Sequence, residues 1–117
     1  MHTKKYGQFA EQLIANYLEQ EGYYILARNY QQQFGEVDLV AQKGDLVVFV
    51  EVKFRHNPLF DMETIITRSK QKKMIAVAKY FMNKHNLNNH IIRFDVALVI
   101  KNGEQLSTTY ISDAFQE

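Results

Sequence analysis

Apolar residues at Tyr6, Phe9, Ala10, Leu13, Tyr17 and Leu18 recur three and four positions apart, the stripe of a helix over residues 6–18. Gly22 stands where such a helix stops. Tyr23 to Tyr30 predicts a short strand ending at the polar run Gln31-Gln32-Gln33. Val37 to Ala41 and Leu46 to Phe54 are rich in β-branched and aromatic residues, and Lys43-Gly44-Asp45 between them predicts a β-hairpin. The single proline, Pro58, follows in a loop with Asn57. Helical spacing returns from Thr67 to His85, with Met74, Ile75, Ala78, Phe81 and Met82 on one side. After the polar break Asn86 to Asn89, Ile91 to Ile100 predicts a strand, Asn102-Gly103 a turn and Gln105 to Ile111 a last strand. The order α-β-β-β-α-β-β implies an α/β fold, a mixed central sheet flanked by helices, in one domain over residues 1–117. Phe9, Tyr17, Tyr80 and Phe81 read as core from their helical spacings. Tyr23, Tyr24 and Tyr30 have no assigned side.

At 117 residues, 46% apolar and 23% charged, the composition is that of a globular domain rather than a disordered chain. Its seven Tyr and eight Phe are enough for a sizeable core without Trp. The absence of cysteine excludes a disulfide scaffold and any thiolate metal site, and it suits a reducing, cytoplasmic setting. Apolar runs such as Leu46 to Val50 fall far short of the roughly 20 residues of a membrane span. No apolar signal core follows the first lysines, so no membrane or secretory role is expected. A net charge of +1 says nothing of a polyanionic partner.

The distribution of that charge says more. Lys53 to Lys84 holds eight Lys or Arg against two acids, Asp61 and Glu63. Arg68, Lys70, Lys72 and Lys73 crowd the start of the second helix, where the helix dipole disfavours cations. A bound anion explains them, and phosphate-backbone contact is the expectation, with Lys70 and Gln71 nearest to it. The histidines (His2, His56, His85, His90) lack metal-ligand spacing. Arg93 and Asp95 read as a structural ion pair.

Side chains of Leu46 to Arg55 alternate between two faces. Leu46, Val48, Val50, Val52 and Phe54 make one face wholly apolar. Val47, Phe49, Glu51, Lys53 and Arg55 make the other, which turns from apolar to charged. A carboxylate and a lysine on a buried-type face are costly unless paired or bound to something. A two-residue loop at Lys43-Gly44 sets Asp38 opposite Phe49, and a four-residue loop from Lys43 to Leu46 sets it opposite Glu51. Either register brings Asp38 to the Glu51/Lys53 face, whereas a three-residue loop needs a bulge to do so. Two carboxylates with a free side suit Mg²⁺, which keeps waters and takes a phosphate oxygen. The neighbouring lysine can orient or deprotonate a water, or stabilise the added charge of a phosphorane-like transition state.

Asp38 followed by Glu51-Val52-Lys53 resembles the PD-(D/E)xK nuclease motif, with Val37 in place of the usual proline. Seven ordered blocks resemble the YraN-like family more closely: Gly7-Gln8-Phe9-Ala10-Glu11, Gly22-Tyr23, Arg28-Asn29-Tyr30, Gly35 to Val40, Phe49 to Arg55, Ser69-Lys70-Gln71 and Arg93-Phe94-Asp95-Val96. That family of small bacterial proteins is assigned to the restriction-endonuclease-like fold and related to archaeal Holliday-junction resolvases. The resemblance implies Asp38 and Glu51 as metal ligands, the main-chain carbonyl of Val52 as a third, and Lys53 as the catalytic lysine. Glu11 matches the acidic residue that such nucleases bring to the metal through water, with Gly7 one turn before it. The loop from His56 to Asp61 departs from the family in lacking its glycine.

The implied activity is Mg²⁺- or Mn²⁺-dependent cleavage of DNA phosphodiesters, of branched or repair intermediates, with Arg55, Arg68, Lys70, Gln71, Lys72 and Lys73 contacting nucleic acid. Related resolvases act as homodimers. Glu36 is expected to be solvated. The competing expectation is a non-catalytic nucleic-acid-binding module of the same fold acting with a partner. The intact Lys53 favours the enzyme, because binding alone does not require a lysine beside two acids.

Overall fold

Helix α1 (His2–Gln20) turns Ala10, Ile14 and Leu18, with Ala15 beside them, onto the sheet. The computed structural model describes residues 2–56 and 65–117. The buried stripe of α1 is therefore rotated from the expected one. Phe9 and Tyr17 remain 46% and 39% exposed. The small alanines let the helix approach the strands closely, and the large rings stay at its rim: Tyr6 stacks on Phe54 at 4.9 Å and Tyr17 meets Tyr110 at 5.2 Å. Gly22, at φ 93°, turns the chain out of the helix.

Strands β1 (Tyr24–Gln32), β2 (Gly35–Lys43), β3 (Leu46–Arg55), β4 (Ile91–Asn102) and β5 (Gln105–Phe115) form one sheet in chain order. Three neighbouring pairs are antiparallel. β3 and β4 run parallel, in unbroken register from Leu46↔Ile91 to Arg55↔Ile100. Such a pair needs a crossover, and helix α2 (Arg68–Lys84) lies in it. The element order and the mixed α/β sheet match the expectation. The ends of β4 and β5 run past it, to Asn102 and Phe115. Pro58, Asn57, Asp61, Glu63 and the loop beyond His56 lie outside the described residues.

The two helices cover opposite faces. Ala10, Ile14, Ala15 and Leu18 pack with Leu39, Ala41, Val48, Val50, Val52, Ala97 and Val99. Met74, Val77, Ala78, Phe81 and Met82 of α2 pack with Val40, Val47, Phe49, Phe94, Val96 and Leu98. Strand β3 is thus buried on both sides, as the parallel-paired strand of an α/β sheet is. Of the four aromatics read as core, only Phe81 is buried. Tyr80 is 40% exposed and meets Phe34 edge-on.

Candidate functional site

The β2–β3 hairpin closes through a two-residue turn set one residue further along than Lys43-Gly44. Lys43 pairs with Leu46 around Gly44-Asp45, and Gly44 takes the positive φ (59°) that such a turn requires. The ladder runs to Leu39↔Val50, so the next step brings Asp38 level with Glu51. This is the register of the four-residue loop, with its two end residues paired. Side-chain alternation in β2 slips at Asp38, because Val37 and Val40 both join the α2-facing core while Leu39 joins the α1-facing one. The strand turns there, and Asp38 Oδ2 accepts from the Val52 N–H at 2.8 Å instead of continuing the ladder.

Glu51 is 2% exposed, on the same face of β3 as Phe49. Its Oε2 receives two ammonium groups: Lys53 at 3.0 Å from the same strand, and Lys70 from the first turn of α2. A carboxylate this deeply buried is tolerable only with such compensation. The Asp38 carboxyl lies near that of Glu51, whose charge acts on it. Burial first, and then the Glu51 charge, push Asp38 up to about 7, against the pull of the Val52 N–H.

Glu11 adds a third carboxyl to this field from α1. Burial raises its pKa, and Glu51 and Glu36 raise it further, while a hydrogen bond to Asn29 and the charge of Arg28 oppose them. Asn29 was given no site role by sequence reasoning. Its positive φ of 50° turns its side chain out of the regular alternation of β1, and only its place in the Arg28-Asn29-Tyr30 block signalled it. Glu36 is exposed and accepts from Gln31, as expected of a solvated residue. Among the described residues, no atom lies within 4 Å of where a Cβ on Gly7 would stand. Among the described residues, no group of three or more His, Cys, Asp and Glu side chains is arranged to hold a metal ion alone.

The basic residues divide. Lys70 is drawn into the carboxylates; burial opposes its charge, but the Glu51 carboxylate more than restores it and raises its pKa. The Gln71 side-chain amide donates to the Ile66 carbonyl at 3.3 Å. Arg55 is partly buried and donates to the Phe54 carbonyl. Arg68, Lys72 and Lys73 are exposed. Beside the Glu51 cluster opens a cleft of about 640 Å³, lined by Gln31 to Glu36 on one side and on the other by Thr67, which caps α2, and by Ser69, Lys70 and Lys73 of that helix. Gly35 makes this junction close: a Cβ there would lie 3.0 Å from the Lys73 Cβ.

Among the described residues, Asp95 is the other buried acid, and its partners account for it. Arg93 donates to both its oxygens, Tyr110 donates its hydroxyl and Asp113 its N–H, and Arg93 also reaches the Tyr23 hydroxyl. These bonds join β4 to β5 and to the start of β1, the structural ion pair expected from the sequence.

Residues 10–99 match the family described as uncharacterised protein family UPF0102. A UPF0102 protein of Clostridioides difficile is 44% identical over 97 residues, covering 82% of this chain and 85% of its own. One of Alkaliphilus metalliredigens is 37% identical over 114 residues, covering 97% and 99%. A third, of Dictyoglomus turgidum, is 36% identical, covering 98% of this chain and 100% of its own. The matched span holds Glu11, Asp38, Glu51, Lys53 and Lys70, so the whole charged cluster lies inside the shared region. The chain belongs to the UPF0102 family, the YraN-like family that its seven sequence blocks resemble.

Proposed function

We propose that the chain is a Mg²⁺- or Mn²⁺-dependent endonuclease of the restriction-endonuclease-like fold, hydrolysing DNA phosphodiester bonds of branched or repair intermediates. The observation that carries this reading is the meeting of Asp38, Glu51 and Lys53 around a carboxylate only 2% exposed. A structural ion pair needs one acid and one base. Here two neighbouring acids share the space, and burial and the Glu51 charge hold Asp38 partly protonated near neutrality. A divalent cation would relieve that repulsion, and two carboxyl groups are the hard oxygen donors it prefers.

Asp38 and Glu51 would hold the ion, with the Val52 carbonyl as a third ligand and Glu11 acting through water. When bound, Mg²⁺ supplies charge neutralisation at the phosphate and makes a nearby water more acidic. Lys53 is 24% exposed, so its remaining N–H bonds can orient that water or face the charge developing on the phosphate. Thr67, Ser69 and Lys73 line the adjoining cleft, where they suit the sugar-phosphate backbone.

Asp38→Asn and Lys53→Ala are expected to abolish cleavage of nicked, flapped and four-way DNA while circular dichroism stays that of the wild type. Cleavage that survives both changes in pure protein sinks the assignment. A second reading, a non-catalytic nucleic-acid-binding module, is favoured by one observation: Lys53 and Lys70 already compensate Glu51. Under it, DNA binding persists in chelator and no substrate is cut.

A further inference from the structure

Glu51 Oε2 carries two ammonium groups of different origin. Lys53 stands two residues away on the same strand, so its position follows from the pleat of β3. Lys70 arrives from another element, through a flexible four-carbon stem, and its side chain remains 30% exposed. It is also the one member of the cluster that lines the cleft, beside Ser69 and Lys73. Lys70 therefore has both an inner partner and an outlet.

We propose that Lys70 is the resident cation of the Glu51 carboxylate in the metal-free protein, and that a divalent ion enters by displacing its ammonium group into the cleft. This rests on the divalent-cation reading above. An ion shared by Asp38 and Glu51 brings two positive charges to the oxygen that Lys70 occupies, and like charges at contact distance repel strongly in such partly buried surroundings. Lys53 and Lys70 carry the same four-carbon stem, but Lys70 lines the cleft and so has space to turn into. The displaced ammonium then faces the cleft, where a phosphate of the substrate becomes its new partner. Lys70 in this way couples loading of the ion to readiness for the anion, as a positioning residue.

The test is calorimetric titration of Mn²⁺ into the wild type, Lys70→Met, Lys72→Met and Glu51→Gln, each checked for folding. Lys70→Met is expected to bind Mn²⁺ at least about tenfold more tightly than the wild type, and Lys72→Met, an exposed lysine of the same helix, within about twofold of it. Glu51→Gln is expected to lose binding. Equal affinities for Lys70→Met and wild type overturn the displacement and leave the metal site standing. Equal tightening by Lys70→Met and Lys72→Met also overturns it, because general charge then suffices. No binding to any variant overturns the displacement and the divalent-cation reading together.

A second measurement uses the wild type alone, so it does not depend on a variant folding. Acylation of lysines by an amine-reactive ester, read by mass spectrometry, is expected to speed up at Lys70 when Mn²⁺ is added and to stay constant at Lys72. A Lys70 rate that is unchanged or slower with Mn²⁺ overturns the proposal.

Discussion

Asp38 carries a consequence for stability. Its carboxyl sits at about 7 in the folded chain against an ordinary 3.8, so the folded state keeps a proton that the unfolded state releases. Stability from this group is complete below about pH 4 and is lost as pH rises through 7, by at most about 4 kcal/mol. Asp38→Asn removes the titrating charge while keeping an acceptor for the Val52 N–H. We expect thermal melts of the wild type to fall from pH 5 to pH 8, those of Asp38→Asn to stay nearly level, and the variant to melt higher at pH 8. A wild type whose melting point rises over that range contradicts the assigned environment of Asp38. Period-two alternation made Glu51 and Lys53 legible as neighbours, since that rule is local. The engagement of Lys70 was not legible. It depends on how far α2 reaches over β3, a distance no spacing along the chain encodes, and its place at a helix start pointed only to phosphate.

Elements were legible in type and less so in facing. For α1 the three-and-four spacing fitted several overlapping stripes, and weighting large rings selected the wrong one. Close packing on a sheet selects the slimmer stripe of Ala10, Ile14, Ala15 and Leu18. For α2 the spacing was decisive, because Met74, Ala78, Phe81 and Met82 offer a single wide face. Its first turn is fastened by Thr67, whose side chain accepts from the Lys70 N–H. Thr67→Ala is expected to cost about 1 kcal/mol, a fall of several degrees in the thermal midpoint. Because the lost bond belongs to Lys70 itself, hydrogen exchange at residues 68–71 is expected to quicken more than in the middle of the helix. Uniform quickening along α2 would show that the cap supports the whole helix rather than its first turn.

Across the whole molecule, the near-neutral sum of charges conceals a division. Three carboxyls, Glu11, Asp38 and Glu51, meet where β2, β3 and α1 come together, and Arg68, Lys70, Lys72 and Lys73 crowd the opening turns of α2 alongside the cleft. Binding to DNA through that basic face is expected to weaken steeply with salt, and Lys73→Ala to reduce the slope of log affinity against log salt by about 1. An unchanged slope removes Lys73 from the contact. Element order and the mixed α/β sheet were readable because alternating helix and strand patterns leave few architectures, whereas the strand order and the parallel pairing of β3 with β4 were not. Nor was the slip of β2 at Asp38, since it arises where two neighbouring strands part company. The parallel pairing of β3 with β4 has a last consequence, for time rather than energy. Leu46 cannot find Ile91 until residues 56–90 between them have been gathered in, so this ladder closes late and slowly compared with the hairpins on either side. A nascent chain is therefore expected to bring Asp38, Glu51 and Lys53 together in the β2–β3 hairpin before the crossover delivers Lys70, so that the second counter-charge arrives last.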